Sequence, residues 1–474
     1  MYRNSPQTWP AVGALAYGVA VGTLQMTVVV PLLPRLARDL AASPASVSWT
    51  LTAGLLSGAV AIPLLSRLGD LYGRRPVSLV ALALLTAGSV LSAVADALAP
   101  LIAGRVLQGL AAPLLPLAIG LVRQALPASR LPSAIGVLSA TIGVGSGGGM
   151  IVAGLVDGDR RAVFWILAGL AAVALALVAT LVRETGGRRS PAGSQEESAR
   201  PSPAGGRGER DDTARPAPAA SRRERLDLLG AVLVPGWLVC LLLALSKGPE
   251  WGWTSPVTLG LLACAVVVAV CWVATARRAT SPLIEIPMLL HPGTVGATVA
   301  SFLIGFALFA AITTVSAYAQ GTLGASVLQV GLYLLPTTLL MLAVSVLAGP
   351  LMRRFTPAAL VAGGAALVTV AALWLAALPA GGPLLYGATA VLGLGVGLGY
   401  AALGTMAVEH VEPARTAAAG GVNALVRVLG SSLAGVVGAV VLASGGPGWA
   451  FVLAAVAALL AAVFAAVHGK VRLA

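Results

Sequence analysis

Few residues of this chain could do chemistry inside a membrane, and those that could are mainly arginines and amides. Only 10% of the 474 residues are charged. The 17 acidic residues all lie outside the middle of the long apolar runs, whereas Arg105 and Arg427 lie within two of them. A group that exchanges a proton within a membrane is normally Asp, Glu or His. The sequence therefore predicts buried arginines with polar partners rather than a buried acid.

The apolar runs define the elements that must position these residues. Hydrophobic residues make up 58% of the chain, while a soluble domain carries roughly 25% charged residues. Reading runs of about 20 residues between charged or turn-forming clusters predicts an all-α polytopic membrane protein with fourteen spans. The fourteen runs are 11–33, 48–66, 77–95, 101–122, 133–156, 162–182, 228–246, 256–276, 293–317, 328–348, 359–378, 384–408, 421–443 and 449–468.

The order of the runs predicts four regions. We expect a six-helix bundle over 1–182, a disordered cytoplasmic linker over 183–227, two inserted transmembrane helices over 228–276, and a second six-helix bundle over 277–474. The linker is rich in Gly, Pro, Ser, Arg and Glu, a composition that builds no core. Most of the 30 lysine and arginine residues fall on the side of the linker. This asymmetry predicts that both termini are cytoplasmic.

Composition also bears on partners and source. The net charge of +13 comes from cations scattered between apolar runs, whereas a nucleic-acid surface needs clustered cations with stacking aromatics. We therefore expect a lipid bilayer and no nucleic acid as partners. Lys247 and Lys470 are the only lysines in a chain rich in Ala, Gly and Pro, which is typical of a GC-rich bacterium.

One charged turn carries a recognisable motif. Residues 66–75 read SRLGDLYGRR, and an aspartate at this helix end can cap the next helix and pair with an arginine. The turn resembles the signature loop of the major facilitator superfamily, with Ser66 in place of its first glycine. The positions that match the loop are Leu68, Asp70, Gly73, Arg74 and Arg75.

Further motifs follow in the order that this family has them. LIAGRVLQG at 101–109 resembles the fourth-helix motif with its buried Arg105, followed by Gln108 and Gly109. The fifth run has the glycine spacing of the antiporter motif, although Met150 stands where that motif has a proline. The glycines at that spacing are Gly136, Gly145, Gly149 and Gly154.

The two extra central helices make the chain similar to the fourteen-span drug/proton antiporter branch. That branch has an acid in its first helix, and the corresponding segment here is LQMTVVVP, with Gln25 at the acid's position. Gln cannot titrate. Proton coupling must then use Asp70 or another peripheral group, or the protein is a facilitator or is driven differently.

The resemblance and the placement of polar residues define two sets of candidate site residues. The conformational or gating set is Asp70, Gly73, Arg74, Arg75, Gly145, Gly149 and Gly154. The set for the substrate pathway or coupling is Gln25, Arg105, Gln108, Tyr318, Gln320, Asn423 and Arg427. For Arg105 two interpretations stay open, an arginine satisfied by amides and helix carbonyls, or one that contacts the carboxylate or phosphate of an anionic amphiphile.

The function that the resemblance implies is secondary active transport, with efflux of apolar or amphiphilic, drug-like molecules by alternating access. Exchange for protons is one possibility. The alternative is a proton-independent facilitator or an exporter of a lipid-like or anionic amphiphile. A polytopic membrane enzyme would need clustered acids, histidines or metal ligands near one membrane face, and these are lacking outside the linker.

No catalytic residue, metal site or cofactor is predicted, and we expect a monomer. Residues 143–148 satisfy G-x-G-x-x-G, but a dinucleotide fingerprint needs a preceding strand and an acid about 20 residues further on. Neither is visible, and close helix packing explains the glycines.

Overall fold

The computed structural model describes residues 8–29, 32–127, 130–156, 159–183, 227–279, 292–377, 382–409, 411 and 416–470. These residues form helices and connecting turns, without a strand among them. Nearly all of the predicted linker lies outside the described residues. The helices are α1 Thr8–Thr27, α2 Leu33–Asp39, α3 Pro44–Tyr72, α4 Arg74–Val94, α5 Leu98–Gly109, α6 Leu114–Ala125, α7 Leu131–Leu155, α8 Arg160–Leu181, α9 Leu228–Trp251, α10 Pro256–Ala276, α11 Pro292–Gly321, α12 Val327–Met352, α13 Pro357–Ala377, α14 Gly382–Val408 and α15 Thr416–Lys470.

The predicted helical membrane fold is confirmed. Within the described residues, 11 helical segments are long and apolar enough to cross a membrane. The helices α1, α7 and α12, of 20, 25 and 26 residues, lie where the other three spans are predicted. The count of fourteen spans stays a prediction.

Proline and glycine residues and short helices set three boundaries that the apolar runs alone do not show. The helix predicted over 11–33 ends at Thr27 and is followed by the short α2. The span predicted over 101–122 breaks into α5 and α6 at Pro113, which has no N–H to continue the helical hydrogen bonds. In α15, Gly446 has φ 77° and precedes Pro447, so the helix is interrupted between the predicted spans 421–443 and 449–468 and has two arms.

The helices pack as two groups with two seams between them. In the first group α1 packs on α7 and α8, and α5 packs on α3 and α4; in the second, α11 and α13 pack on α15. Along one seam α7 packs against α12 and α14, and along the other α15 packs against α3 and α6. The helices α9 and α10 pack on each other, and α9 also contacts α3 and α15.

One end of this bundle can be defined by its contacts. Arg75, in the first turn of α4, donates from Nη2 to the carbonyl of Ala179 near the end of α8, at 2.8 Å. The start of α4, the end of α8 and the start of α9 therefore lie on the side from which the linker leaves, and we call this the linker side.

Candidate functional site

Glycines bring α5 into close contact with both of its neighbours. A Cβ on Gly109 would lie 1.9 Å from Ser57 Oγ of α3, and a Cβ on Gly104 would lie 2.7 Å from the carbonyl of Gly88 in α4. Small residues at such crossings let helix backbones approach. Arg105 follows Gly104 at this close contact. Its side chain reaches between α1 and α3 and is only 1% exposed.

The guanidinium of Arg105 is held by amide and carbonyl groups. Its Nη1 donates to Gln25 Oε1 at 2.8 Å, to the Gln25 carbonyl at 2.7 Å and to Gln108 Oε1 at 2.6 Å. Its Nε donates to the carbonyl of Thr50 at 3.1 Å. Gln108 is oriented in turn by Ser89 Oγ, which accepts from Nε2 at 3.1 Å. Three helices thus converge on one cation without an acid among these partners.

Arg427 occupies a different environment on the first arm of α15. Its Cζ lies 5.1 Å from the centroid of the Tyr400 ring on α14, an arrangement that attracts a cation to the ring face. Gly305 of α11 leaves room for the stem, because a Cβ there would lie 2.7 Å from Arg427 Cγ. Within the described part of the chain, no acceptor bonds the guanidinium nitrogens of Arg427. These donors are therefore open.

Both arginines line one central cavity of about 250 Å³. One wall comes from α1, α3, α5 and α6, and the other comes from α11, α14 and α15, so the cavity lies between the two groups of helices. It extends to Thr27 at the end of α1 far from the linker side. The wall is mainly apolar. Its polar and aromatic members are Thr23, Thr27, Arg105, Phe309, Tyr400, Arg427, Ser431 and Ser432.

The structure brings together only part of the polar set predicted for the pathway. Gln25, Arg105 and Gln108 form one network. Tyr318 and Gln320 lie near the end of α11, away from the residues that line the cavity, and Gln320 is exposed. Asn423 is buried and donates from Nδ2 to the carbonyl of Ala297 at 3.4 Å, which ties α15 to α11.

The charged turn places a buried ion pair on the linker side. Arg74 donates to Asp70 Oδ1 from Nε at 2.9 Å and from Nη2 at 2.7 Å, and from Nη1 to the Gly120 carbonyl at 2.9 Å. The two side chains are 2% and 3% exposed. Between the helices, Gly73 has φ 108°, a conformation that only glycine adopts without strain. The turn therefore fixes α3, α4 and α6 together.

The predicted glycines of α7 lie at helix contacts. A Cβ on Gly145 would lie 2.2 Å from Thr23 Oγ1, and one on Gly149 would lie 2.2 Å from Thr27 Oγ1, both on α1. A Cβ on Gly154 would lie 2.8 Å from the Leu328 Cα of α12. The first two glycines bring α7 onto the cavity helix α1, and the third forms part of the seam with α12.

On the linker side, the two groups of helices contact each other directly. Arg123 at the end of α6 donates to the carbonyls of Val408 and Val411, at 2.8 and 3.0 Å. A Cβ on Gly421 of α15 would lie 2.9 Å from Ser66 Oγ of α3. Ser66, which replaces the first glycine of the signature loop, thus faces the other group of helices.

Sequence reasoning missed several residues of the cavity. Tyr400, Phe309 and Ser431 are ordinary members of apolar runs, and nothing in their spacing distinguishes them. It also missed the polar cluster around Lys247, a residue that the span boundaries place in a loop. Among the described residues, no group of three or more His, Cys, Asp or Glu side chains could hold a metal ion.

A helical membrane protein with a central cavity between two groups of helices has the architecture of a secondary transporter. Residues 15–435 match the Major Facilitator Superfamily, and the chain belongs to this family. The protein is a multi-pass membrane transporter and not an enzyme.

Relatives and solved structures agree with this assignment. The chain is 30% identical over 444 residues to the tetracenomycin C resistance and export protein of Streptomyces glaucescens, covering 92% of this chain and 76% of the relative. It is 28% identical over 381 residues to the uncharacterized MFS-type transporter EfpA of Mycobacterium tuberculosis, with 78% and 66% covered. The human organic anion transporter MFSD10 has the same fold, with a TM-score of 0.66 at 17% identity over 97% of this chain and all of that one.

Proposed function

We propose that this transporter exports apolar or amphiphilic, drug-like molecules across the cytoplasmic membrane by alternating access. The observation that carries the proposal is the mainly apolar cavity of about 250 Å³, whose walls come from both groups of helices. A site shared between two groups can be exposed to either side when one group rocks against the other. The relative in Streptomyces glaucescens is named as a resistance and export protein, and this supports export as the direction.

In this proposal the moving bodies are the predicted bundles 1–182 and 277–474, with 228–276 inserted between them and both termini cytoplasmic. Export then requires the linker-side contact between α3 and α15 to open and close in each cycle. The pair Ser66 and Gly421 reports on this contact, because a Cβ at Gly421 would lie 2.9 Å from Ser66 Oγ.

A cross-link at this contact tests alternating access. We expect a disulfide between Ser66→Cys and Gly421→Cys to lower transport into inside-out vesicles by about tenfold or more, since one of the two states becomes inaccessible. Reduction restores the rate. Each single variant is the matched control and should be insensitive to oxidant. If the fully cross-linked protein transports as fast as the chemically reduced protein, the mechanism is contradicted.

A second candidate function is proton-independent export of an anionic amphiphile. Arg105 and Arg427 line the same cavity, and the described residues supply neither with an acid. An uncompensated arginine at the centre of a membrane costs about 2.5–3.5 kcal/mol on insertion scales. A carboxylate, sulfonate or phosphate on the substrate would bond the open donors of Arg427 and offset this cost.

The anionic substrate is tested with a fluorescent fatty acid and its neutral methyl ester in proteoliposomes. We expect Arg427→Gln to raise the KM of the acid about tenfold, equivalent to about 1.4 kcal/mol, and to change that of the ester by less than about twofold. Arg354→Gln, which removes an exposed arginine at the end of α12, is the matched control. Equal effects on acid and ester would exclude charge recognition by Arg427.

Gln25 is the position at which proton coupling can be tested. Its Oε1 lies 2.8 Å from Arg105 Nη1, so a carboxylate at this position would be next to the guanidinium and could take up and release a proton. We expect transport by the unmodified protein to survive a protonophore, and Gln25→Glu to become sensitive to an imposed pH gradient. Gln320→Glu, which changes an exposed residue outside the cavity, should remain insensitive to the pH gradient. Loss of transport by the unmodified protein with the protonophore would rule out the proton-independent candidate while leaving export intact.

A further inference from the structure

Another buried cation, Lys247, lies away from the cavity, at the end of α9. The predicted span stops at residue 246, but α9 continues to Trp251 and the side chain of Lys247 is 0% exposed. Its Nζ donates to Glu250 Oε1 at 3.2 Å and Oε2 at 3.1 Å, and it also bonds Ser48 Oγ of α3. The ring of Trp49 lies 4.7 Å from Nζ.

These contacts form a closed triad that joins α9 to the first turns of α3. Ser48 Oγ donates to Glu250 Oε1 at 2.8 Å, so Lys247, Ser48 and Glu250 are bonded to one another. One turn further, Thr52 Oγ1 and Ser246 Oγ are 2.8 Å apart. Because the side chain of Lys247 is 0% exposed and that of Glu250 is 33% exposed, the cost of opening the triad comes from leaving the buried ammonium without these partners. This end of α9 is therefore strongly attached to α3.

The other contacts of the inserted helices α9 and α10 are apolar, unlike the charged and polar contacts of the triad. Towards the linker side, α9 and α10 join a purely apolar cluster with α3 and α15. Its members include Ala59, Ile62, Val234, Leu238, Leu242, Trp272, Val422 and Leu425. Lipid tails are as apolar as these side chains, so little free energy is lost when such a contact is exchanged for lipid. This face can slide over α15, while the triad cannot be opened cheaply.

We propose that α9 and α10 are a fixed part of the half that contains α3, held by the Lys247–Ser48–Glu250 triad, and that they slide over α15 during transport. The inference rests on the alternating access proposed above. The attached stretch of α3 also contributes to the cavity. The carbonyl of Thr50, which lies between Ser48 and Thr52 on α3, accepts from Arg105 Nε at 3.1 Å.

Two cross-links on the same helix test the proposal. In a variant in which Cys240, Cys264 and Cys271 are replaced by Ala, the first pair is Thr52→Cys with Ser246→Cys, whose 2.8 Å oxygen separation puts both Cβ atoms within reach of a disulfide. The second pair is Leu238→Cys with Leu425→Cys, and its two thiols are joined by a short, cleavable thiol reagent.

The two pairs have opposite expected results. The 52–246 disulfide should leave the transport rate within about twofold of the reduced protein, and the 238–425 link should lower it about tenfold or more until it is cleaved. Arrest by the 52–246 disulfide, or free transport with the 238–425 link complete, overturns the proposal. Failure of alternating access itself is recognised separately, because the Ser66–Gly421 disulfide would then be tolerated.

A measurement on the folded protein tests the triad directly. We expect Lys247→Met to slow formation of the 52–246 disulfide about fivefold, since the two helix ends are no longer held together, and Lys247→Arg to keep the original rate. The 238–425 link should form equally fast in both. An unchanged 52–246 rate in Lys247→Met would show that the triad does not fasten α9.

Discussion

Removal of the carboxylate of Asp70 should destabilise the protein strongly, because it takes a bonded counter-charge away from the buried guanidinium of Arg74. The side chains of Arg74 and Asp70 are 2% and 3% exposed, and Arg74 donates two hydrogen bonds to Asp70 Oδ1. Breaking a buried pair by removing one partner costs about 3–5 kcal/mol. We expect Asp70→Ala to lower the free energy of unfolding by this amount.

The geometry also predicts the result for Asp70→Asn. Both bonds use a single oxygen, Oδ1, and an asparagine keeps an oxygen acceptor at this position. A hydrogen bond to a charged group contributes about 1 kcal/mol more than a neutral one, so two bonds lose about 2 kcal/mol. The asparagine variant should therefore fall between the original protein and Asp70→Ala.

The measurement is the free energy of unfolding of the purified protein in mixed micelles, titrated with SDS. Asp96→Ala is the matched control, since Asp96 also pairs with arginines but its side chain is 76% exposed. An exposed pair contributes about 0–1 kcal/mol. The double variant Asp70→Ala/Arg74→Met removes both charges and should recover most of the lost stability. A loss of stability in Asp70→Ala no larger than that in Asp96→Ala would refute a buried ion pair. Additive losses of stability for Asp70→Ala and Arg74→Met would refute it as well.

Two further predictions concern helix contacts. Gly109→Ala would place a Cβ 1.9 Å from Ser57 Oγ, so we expect a loss of about 1–3 kcal/mol from overpacking; Gly169→Ala meets no atom within 4 Å and should be neutral in the same SDS titration. Cys240 Sγ and Cys264 Sγ are 3.7 Å apart, so mild oxidation should join them, which a mass decrease of about 2 Da in the peptides would show. Unchanged thiol content after oxidation would contradict the packing of α9 on α10.

The central cavity shows where sequence reasoning works and where it stops. The buried Arg105 with Gln108 could be recognised from the motif, and the structure places both with Gln25. The same reasoning grouped Gln320 with them, although it is exposed near the end of α11. An apolar run indicates that a helix spans the membrane, but it does not indicate which face of that helix meets the cavity.

Lys247 illustrates the same limit for charged residues. Hydropathy places a lysine near the end of an apolar run in a loop, whereas in α9 its burial is made favourable by Glu250 on the same helix together with Ser48, 199 positions earlier in the chain. The signal for this partner is absent from the local sequence, since Ser48 has an ordinary polar side chain near the start of its span.

The sequence by itself determined the membrane environment, the family and the ends of most helices, because apolar length, Pro and Gly act locally. The turn at Gly446 and Pro447 is an example. Only the tertiary structure decided that Arg105 is bonded by amide and carbonyl oxygens, whereas none of the described residues bonds the guanidinium of Arg427. It also decided that α9 is attached to α3 at one end and rests on apolar contacts at the other. These properties depend on the rotation and neighbours of each helix, which the packing of the whole chain sets.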